Sequence, residues 1–533
     1  MKRMLLLFIF ITLISFFSGC SDSKQNPIVI KETNSIENKN NENINFEVEQ
    51  VVLSQGFQNI EPNVEIIKKG LDFRLLASIG LVESSGVNVT KINKIGNDIN
   101  IFVENETDTE KKHLSVPQIL IDLKGVRIKN KEDLTFNIIN ENYTPIKVKL
   151  GINEVVNKIN SDFKISINTF PMVNILNKND RILWELNYNN IFDKYNTETP
   201  IIDLSVLIDA NSGSVIKSSK NFISSLIDEG YILDYIPNKF ILYKKQENGE
   251  KNNGQKETLW VFDIEDNHSE ILYSSKSKIC CAKFSPDATH ISILESSDEN
   301  NELYVMEKQD KKAYKVLFKD YINPKIIRWK DKENLYIVDK NKDRSYIYFY
   351  NVEENETNLF APIPKDIVDL QIMDDYFLIT EGNEDKKDIK IYLTENFSQF
   401  EFDSHGFKPS FINENKIAFL KFNEKKDSNI FTIYDLDKNR YYDTLNLNIT
   451  KFFSLDDENL ALIEKKQSEH DFTLYKYNIR DKELTSMANI NSDNVYYNDE
   501  KKFLYVNLSV PFESEKSQIV YALNLMKVAN IEP

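Results

Sequence analysis

Hydrophobic and polar positions repeat in one pattern along the second half of the chain. From roughly Asp234 onward, a large apolar or aromatic residue precedes a polar turn, and a short apolar strand follows the turn. The spacing between successive leading residues is about 39 to 49 residues. The seven leading residues are Tyr235, Phe284, Trp329, Ile372, Phe411, Phe453 and Tyr497.

A second strand follows about 20 residues into each unit and usually carries a tyrosine, as in Leu303–Lys308 and Ile347–Val352. A fixed period of about 40 to 50 residues with several short strands is typical of a β-propeller. One four-stranded blade cannot bury both of its faces, so neighbouring blades stack around an axis. We therefore predict a mainly β fold with a seven-bladed propeller over residues 230–533. Six or eight blades, and a pair of β-sandwiches with accidental spacing, stay open as alternatives.

One turn of the repeat carries a family resemblance. The segment Phe284-Ser285-Pro286-Asp287-Ala288 resembles the FSPDG turn of TolB-type and WD40-like propeller repeats, with Ala288 in place of the usual glycine. The segment that begins at Phe453 keeps part of the same pattern. The resemblance implies a binding platform, or the non-catalytic half of a larger hydrolase.

Residues 44–150 contain several short alternating segments and are predicted to form a small β-rich domain. A hairpin is predicted from Val87 to Val103, because two alternating segments flank the turn Gly96-Asn97-Asp98. Further strands are predicted at residues 119–123, 134–138 and 146–150.

Residues 151–220 are predicted to form an α+β module. Apolar residues at helical spacing predict one amphipathic helix, and alternating residues around Trp184 and Leu204 predict strands. The helical positions are Ile152, Val155, Val156, Ile159 and Phe163. The strand around Leu204 ends in the turn Asp209-Ala210-Asn211-Ser212-Gly213. This succession resembles PepSY-type domains, which implies a small accessory module of a kind sometimes associated with inhibiting or chaperoning peptidases.

The first residues have the pattern of an export signal. Lys2 and Arg3 precede an apolar run of about 13 residues, which matches a secretory signal peptide over residues 1–19 and is too short to span a membrane. The run ends in Phe17-Ser18-Gly19-Cys20, which resembles the bacterial lipobox with Phe17 in place of the usual leucine. The resemblance implies cleavage before Cys20 and lipidation of its thiol. An ordinary cleaved signal followed by an incidental cysteine is the alternative.

A polar segment follows Cys20. Residues 20–43 are rich in Ser, Asn, Lys and Glu, so they cannot bury enough surface to fold and are predicted to be a flexible tether. We therefore expect the membrane to be one partner, through a lipid anchor at Cys20. The predicted location is the extracytoplasmic face of the cell membrane, at the cell surface.

Net charge argues against one class of partner, and cysteine content argues against a fold that depends on disulfides. The formal net charge of −17 argues against a nucleic-acid partner, which requires a basic face. Besides Cys20 the chain has only the adjacent pair Cys280 and Cys281, which we interpret as structural. A chain of this length does not depend on disulfides for a core.

Catalytic patterns are missing from the sequence. The five histidines lie in no H-E-x-x-H pattern, and neither G-x-S-x-G nor G-x-x-x-x-G-K occurs. We therefore predict no catalytic residues, no cofactor and no metal site. The carboxylate pairs Asp374/Asp375, Asp435/Asp437 and Asp456/Asp457 could bind a hard cation, but solvated turns explain them better. The recurring tyrosines are interpreted as packing between blades.

The leading hypothesis is a non-enzymatic envelope lipoprotein whose propeller binds a protein, a peptide or an envelope glycan. One alternative is a regulator or inhibitor of an extracytoplasmic peptidase, acting through residues 151–220. Another alternative is a propeller-type lyase or glycoside hydrolase, for which paired carboxylates in a deep central pocket are the expected feature.

Overall fold

The computed structural model describes most of the chain from residue 41 to residue 528. The described ranges are 41–69, 72–108, 110, 113–124, 134–165, 171–179, 181–193, 195–196, 198–247, 256–296, 300–318, 321–341, 344–382, 387–466, 469–512 and 515–528. The chain divides into two compact units, of which the first comprises residues up to 158, 172–186 and 206–217, and the second comprises 159–171, 187–205 and 218–533. The predicted signal peptide (1–19), Cys20 and nearly all of the predicted tether lie outside the described residues.

Nine strands build the first part of the chain. They are β1 (Asn41–Asn43), β2 (Phe46–Ser54), β3 (Asn63–Lys69), β4 (Asp72–Ser78), β5 (Val82–Ser84), β6 (Gly86–Ile95), β7 (Asp98–Glu106), β8 (His113–Leu123) and β9 (Thr135–Asn140). They form one sheet in the order β1-β6-β7-β9 and another in the order β2-β8-β4-β3, with β5 paired to β8. Fully buried residues from both sheets, such as Leu75 and Ile101, share one core, as in a β-sandwich.

The hairpin prediction is confirmed, because β6 pairs with β7 from Gly86 to Asp98 and Gly96 has a φ of 63° in the turn. Two local predictions are wrong. Residues 146–150 form no strand; this segment is fixed instead by single backbone hydrogen bonds, from Ile146 to Leu81 and from Leu150 to Ala210. Residues 41–43, the end of the predicted tether, form β1 and pair with β6.

The helix predicted in residues 151–220 is confirmed except for Phe163, which follows its last residue, and the strands predicted around Trp184 and Leu204 are confirmed. Helix α1 spans Ile152–Asp162, and its stripe from Ile152 to Ile159 is buried. A four-stranded sheet follows, made of β10 (Met172–Lys178), β11 (Arg181–Phe192), β12 (Ile201–Asp209) and β13 (Val215–Phe222) in sequential order. In the predicted turn, Asp209 accepts hydrogen bonds from the backbone N–H groups of Asn211 and Ser212, and Gly213 has a φ of 69°. Among the described residues no helix is long and apolar enough to cross a membrane.

The remaining 28 strands form seven four-stranded antiparallel sheets. Their bounds are β14 (Ser224–Glu229), β15 (Tyr231–Ile236), β16 (Phe240–Glu247), β17 (Lys256–Asp263), β18 (His268–Ser275), β19 (Lys278–Phe284), β20 (His290–Ser296), β21 (Asn301–Glu307), β22 (Lys312–Lys315), β23 (Pro324–Trp329), β24 (Asn334–Asn341), β25 (Arg344–Asn351), β26 (Glu356–Ile363), β27 (Ile367–Met373), β28 (Tyr376–Gly382), β29 (Lys387–Leu393), β30 (Gln399–His405), β31 (Phe407–Asn413), β32 (Lys416–Asn423), β33 (Ser428–Asp435), β34 (Arg440–Leu445), β35 (Ile449–Ser454), β36 (Asn459–Lys465), β37 (Phe472–Asn478), β38 (Glu483–Ile490), β39 (Val495–Asn498), β40 (Phe503–Phe512) and β41 (Glu515–Asn524).

Six sheets, blades 1 to 6, each contain four consecutive strands, from β15–β18 in blade 1 to β35–β38 in blade 6. Blade 7 differs, because its strand order is β14-β41-β40-β39. The outermost strand of blade 7 therefore comes from the segment before residue 230, and Ser224 pairs with Leu523. This pairing links the first strand of the propeller to the last one.

Seven apolar clusters show that the blades close into a ring. Each cluster contains buried residues from two neighbouring blades, and the series includes blades 7 and 1, where Ile241 and Tyr243 pack with Tyr505 and Val520. The recurring tyrosines of the third strands, such as Tyr304 and Tyr521, belong to these clusters, so their predicted packing role is confirmed. The mainly β fold with a seven-bladed propeller is confirmed.

Candidate functional site

The innermost strand of most blades contains a β-bulge. In blades 1, 2, 4 and 6 the register shifts just before Asp234, Cys281, Asp369 and Lys451, respectively. A bulge bends its strand and changes the direction in which the next side chain points. In each of these four strands an ionisable residue therefore follows the bulge directly.

Six charged side chains on six innermost strands form what we call the axial cluster. Its members are Asp234, Lys283, Arg328, Asp369, Lys408 and Lys451. Each comes from a different blade, so no two of them are close in sequence. Their contacts depend on the packing of neighbouring blades.

Blades 1 and 2 are joined by one ion pair of this cluster. The Lys283 ammonium lies 2.8 Å from the Asp234 carboxylate and also donates to the Leu233 carbonyl. The second carboxylate oxygen of Asp234 accepts the backbone N–H of Phe284 at 2.9 Å. Both charged side chains remain partly exposed, at 32% and 17%. Asp234 therefore holds the neighbouring inner strand by a side-chain contact and a backbone contact.

Blades 3 and 4 are joined in the same way. Arg328 Nη2 lies 2.7 Å from Asp369 Oδ1, and Arg328 Nη1 donates to the carbonyl of Ile327. The Asp369 carboxylate also accepts the N–H of Leu370. The charges of the pair balance, and each of the two side chains also has a hydrogen bond to a backbone group.

Blades 5 and 6 contribute two lysines without a carboxylate. Lys408 Nζ donates to the Thr450 carbonyl at 2.9 Å, and Lys451 Nζ donates to the Val495 carbonyl at 3.1 Å. Lys451 Nζ also lies 4.4 Å from the centre of the Tyr496 ring, a cation–π distance. Within the part of the chain that the structure describes, neither ammonium has a carboxylate within 4 Å.

Burial shifts the pKa values of two groups near the axis. Burial lowers the pKa of the Lys451 ammonium to about 8, and the nearby charges of Lys408 and Lys283 also lower it while Asp493 raises it. Burial raises the pKa of the Tyr496 hydroxyl, and the charge on Asp234 acts in the same direction. These interactions place residues of non-adjacent blades around one axis.

The structure brings Cys281 to this axis and leaves both cysteines free. Cys280 is exposed and Cys281 is half-buried. Burial raises the pKa of the Cys281 thiol, although Lys283 and Arg328 lower it. A thiol with a raised pKa is a poor nucleophile, which agrees with the structural role predicted for Cys281.

The acidic pairs of the sequence lie in turns within blades. Asp456 Oδ1 accepts the backbone N–H groups of Glu458 and Asn459, and Asp435 Oδ1 accepts the N–H of Lys438. Burial opposes ionisation of Asp456, but these hydrogen bonds and that of the Asn459 amide hold the pKa of its carboxyl below the usual value. Over the described ranges, no three His, Cys, Asp or Glu residues are grouped to hold a metal ion.

The members of the axial cluster were not singled out from the sequence. One signal could have found them: each of the six precedes the leading residue of its unit by one to three positions, as Lys283 precedes Phe284 and Arg328 precedes Trp329. The carboxylates of blades 1 and 4, the basic residues of blades 2 and 3 and the lysines of blades 5 and 6 become meaningful only once the blades pack against one another.

No family model matches this chain, and no curated protein matches it. The solved structures to which it is similar include an oligogalacturonate lyase in complex with manganese, with 8% identity, 64% of this chain and 96% of that chain covered, and a TM-score of 0.45. The β-propeller domain of the Trilobed protease from Pyrococcus furiosus has 15% identity, covers 57% of this chain and 100% of that chain, and has a TM-score of 0.41. An uncharacterized protein from Listeria monocytogenes EGD-e has 10% identity, covers 52% and 88%, and has a TM-score of 0.40.

Proposed function

We propose that this chain is a non-enzymatic, lipid-anchored protein of the bacterial cell envelope, and that its propeller binds a protein, a peptide or an envelope glycan at the axis. The observation that carries the binding role is the axial cluster, because six neighbouring blades each contribute one charged group from the innermost strand. A ligand at the axis can contact several blades at once. No single blade presents an equivalent surface.

The ion pairs of the axial cluster favour recognition of a polar partner. Arg328, Asp369, Lys283 and Asp234 keep between 17% and 32% of their side-chain surface exposed, so a ligand can still reach them. Charged groups held in fixed positions contribute more to the choice of partner than to raw affinity. The expected partner therefore carries charged or hydrogen-bonding groups.

Capture of the partner on intact cells tests this proposal. The double variant Arg328→Gln/Asp369→Asn removes both charges but keeps the net charge and leaves groups that can still hydrogen-bond. After crosslinking on cells, we expect the variant to recover at least about tenfold less partner than the unaltered chain, as loss of about 1.4 kcal/mol implies.

The matched control is an ion pair far from the axis. Lys311 and Glu270 lie 2.6 Å apart in an exposed position between blades 1 and 2. The variant Lys311→Gln/Glu270→Gln has the same change of charge and is expected to recover the partner normally. If the axial and the control variants recover equal amounts of partner, the ion pair at the axis does not contribute to binding and the proposed binding at the axis is wrong.

The membrane anchor is tested separately at Cys20. In cells supplied with a labelled fatty acid, we expect Cys20→Ala to abolish the label and to release the protein into the medium. The control is Cys280→Ala, because Cys280 is an exposed cysteine that the lipobox resemblance does not involve. Retention of the label by Cys20→Ala would show that the anchor is elsewhere.

A further inference from the structure

We propose that the propeller axis contains a binding site for one anionic group, a carboxylate or a phosphate, held between Lys408 and Lys451. This inference rests on the proposed function, since it names the chemistry that the axis recognises. The site is formed by two neighbouring innermost strands, β31 and β35, and is bordered by Tyr496 on β39.

The distribution of charge around the axis is uneven. Lys283 and Arg328 each have a carboxylate within 3 Å, at 2.8 and 2.7 Å. Among the described residues, Lys408 and Lys451 each donate to one backbone carbonyl and have no carboxylate partner, and an ammonium has three donors. Each of these two lysines therefore has hydrogen-bonding capacity left for a ligand. The chain has a net charge of −17, so carboxylates outnumber basic side chains overall. Two neighbouring blades that each contribute a lysine without a carboxylate partner differ from this excess of negative charge.

Lys408 also acts on the Lys451 ammonium. Lys408 Nζ bonds the carbonyl of Thr450, the residue directly before Lys451 in β35. A nearby positive charge disfavours the charged state of an ammonium. Burial is the main cause of the lowered pKa of Lys451, and the charge on Lys408 adds to it. An anion between the two ammonium groups removes the repulsion and restores the charged form.

Four groups face the Lys451 ammonium. Lys408 from β31 and Lys283 from β19 are positive, Asp493 before β39 is negative, and the Tyr496 ring on β39 lies 4.4 Å away. Because Tyr496 has a raised pKa, it stays neutral through the range in which Lys451 titrates. Lys451 is therefore the group that sets the dependence of anion binding on pH near 8.

The sign of this dependence follows from the charge that binds. An anion needs the protonated ammonium, so affinity is expected to be full below pH 8 and to fall above it. With a pKa of about 8, affinity at pH 9 should be roughly tenfold lower than at pH 7. Phosphate becomes more negative over this range and acetate keeps its charge, so titration of the ligand cannot cause the loss.

Thermal unfolding of the full chain in mild detergent measures this binding, since a ligand that binds only the folded state raises the Tm. Inorganic phosphate and acetate serve as separate probes, at constant ionic strength. We expect both to raise the Tm at pH 7, and Lys408→Gln and Lys451→Gln each to weaken the apparent affinity at least about tenfold. The exposed position of Lys408 makes its variant the one that tests binding without a change in packing.

The matched control is Lys482→Gln. Lys482 Nζ bonds the Tyr442 carbonyl at 3.2 Å and lies 5.1 Å from the centre of that tyrosine ring, but it has a carboxylate, Asp443, at 3.6 Å. It reproduces the local contacts of Lys451 away from the axis, and its variant should bind within twofold of the unaltered chain. A probe that raises the Tm of all four proteins equally, or of none, would overturn the anion site.

The two proposals fail in different ways. If the partner is captured on cells but neither phosphate nor acetate binds, the axis binds its partner through other groups and only the anion site is overturned. If the probes bind as expected but no partner is lost in the Arg328→Gln/Asp369→Asn variant, the anion site stands and the proposed recognition by the ion pairs is overturned.

Discussion

Carboxylates accept hydrogen bonds from backbone N–H groups in two regions of the propeller, the turns within blades and the axis. In the turns within blades, a carboxylate such as Asp456 bonds N–H groups two and three residues further along the chain. At the axis, a carboxylate such as Asp234 bonds a lysine and a backbone N–H of the next blade, about 50 residues away. The turn contacts are therefore local in sequence, whereas the axial contacts exist only when neighbouring blades pack against each other. Substitutions in the two regions should therefore differ in how much unfolding free energy they remove and in how strongly they couple to substitutions of the partner residue.

The largest effect is expected at the axis, from Asp234→Ala. It leaves the partly buried Lys283 without a counter-ion and the N–H of Phe284 without its acceptor. Removing one partner of such a group costs roughly 2–3 kcal/mol in the free energy of unfolding. Urea denaturation, followed by tyrosine and tryptophan fluorescence, measures the loss.

A double-mutant cycle shows whether the cost belongs to the pair. Adding Lys283→Ala to Asp234→Ala should recover part of the loss, with a coupling energy of about 1–2 kcal/mol. The same cycle on the exposed pair Glu270 and Lys311 should give less than about 0.5 kcal/mol. Equal coupling in the two cycles would mean that the axis does not differ from the surface.

A smaller effect is expected in the turns, from Asp456→Ala. The variant loses the hydrogen bonds to two backbone N–H groups and to the Asn459 amide, which together contribute about 1 kcal/mol. Because the folded-state pKa of Asp456 is lowered, this stabilisation is present above the unfolded pKa of 3.8 and disappears as pH falls through the folded value.

Measured at pH 7 and at pH 3, the difference between Asp456→Ala and the unaltered chain should therefore shrink in acid. The neighbouring residue Asp457 is exposed in the same turn, and Asp457→Ala should change the free energy of unfolding by less than about 0.5 kcal/mol. A difference for Asp456→Ala that stays constant down to pH 3 would assign its effect to something other than the ionised carboxylate.

The smallest effect is expected from Ala288→Gly. Ala288 has a φ of 63°, a region that costs an alanine about 1 kcal/mol relative to glycine. Its methyl group is buried in the cluster between blades 1 and 2, and burial of one methyl contributes about 0.8 kcal/mol. The two terms nearly cancel, so thermal unfolding should show a change in stability below about 0.5 kcal/mol. A clear stabilisation would show that backbone strain exceeds packing at this turn.

The same comparison explains how much the sequence could predict. The turn that contains Asp287 and Ala288, the recurring tyrosines and the stripe of α1 are local or periodic features, and each was predicted from the pattern of residues. Residues 146–150 alternate like a strand but are held by isolated hydrogen bonds, because pairing needs a partner strand that periodicity does not reveal.

The axial cluster could not be predicted in the same way. Lys408 and Lys451 are 43 positions apart in a chain with 66 lysines and arginines, and nothing in their own segments distinguishes them. Their proximity depends on the angle between blades and on the bulge before Lys451. The outermost strand of blade 7 was missed for a related reason, since β14 pairs with the far end of the chain.

The pairing of β14 with β41 also constrains the order in which the molecule can be built. Ser224 emerges from the ribosome long before Leu523, its partner in the sheet, so synthesis of nearly the whole propeller must be finished before this edge is covered. Long-range pairing of this kind is slow because the intervening chain must first be ordered. A chain that stops before β39 lacks the strands that join blade 6 to blade 1, and its unfinished edges would be available to proteases and chaperones.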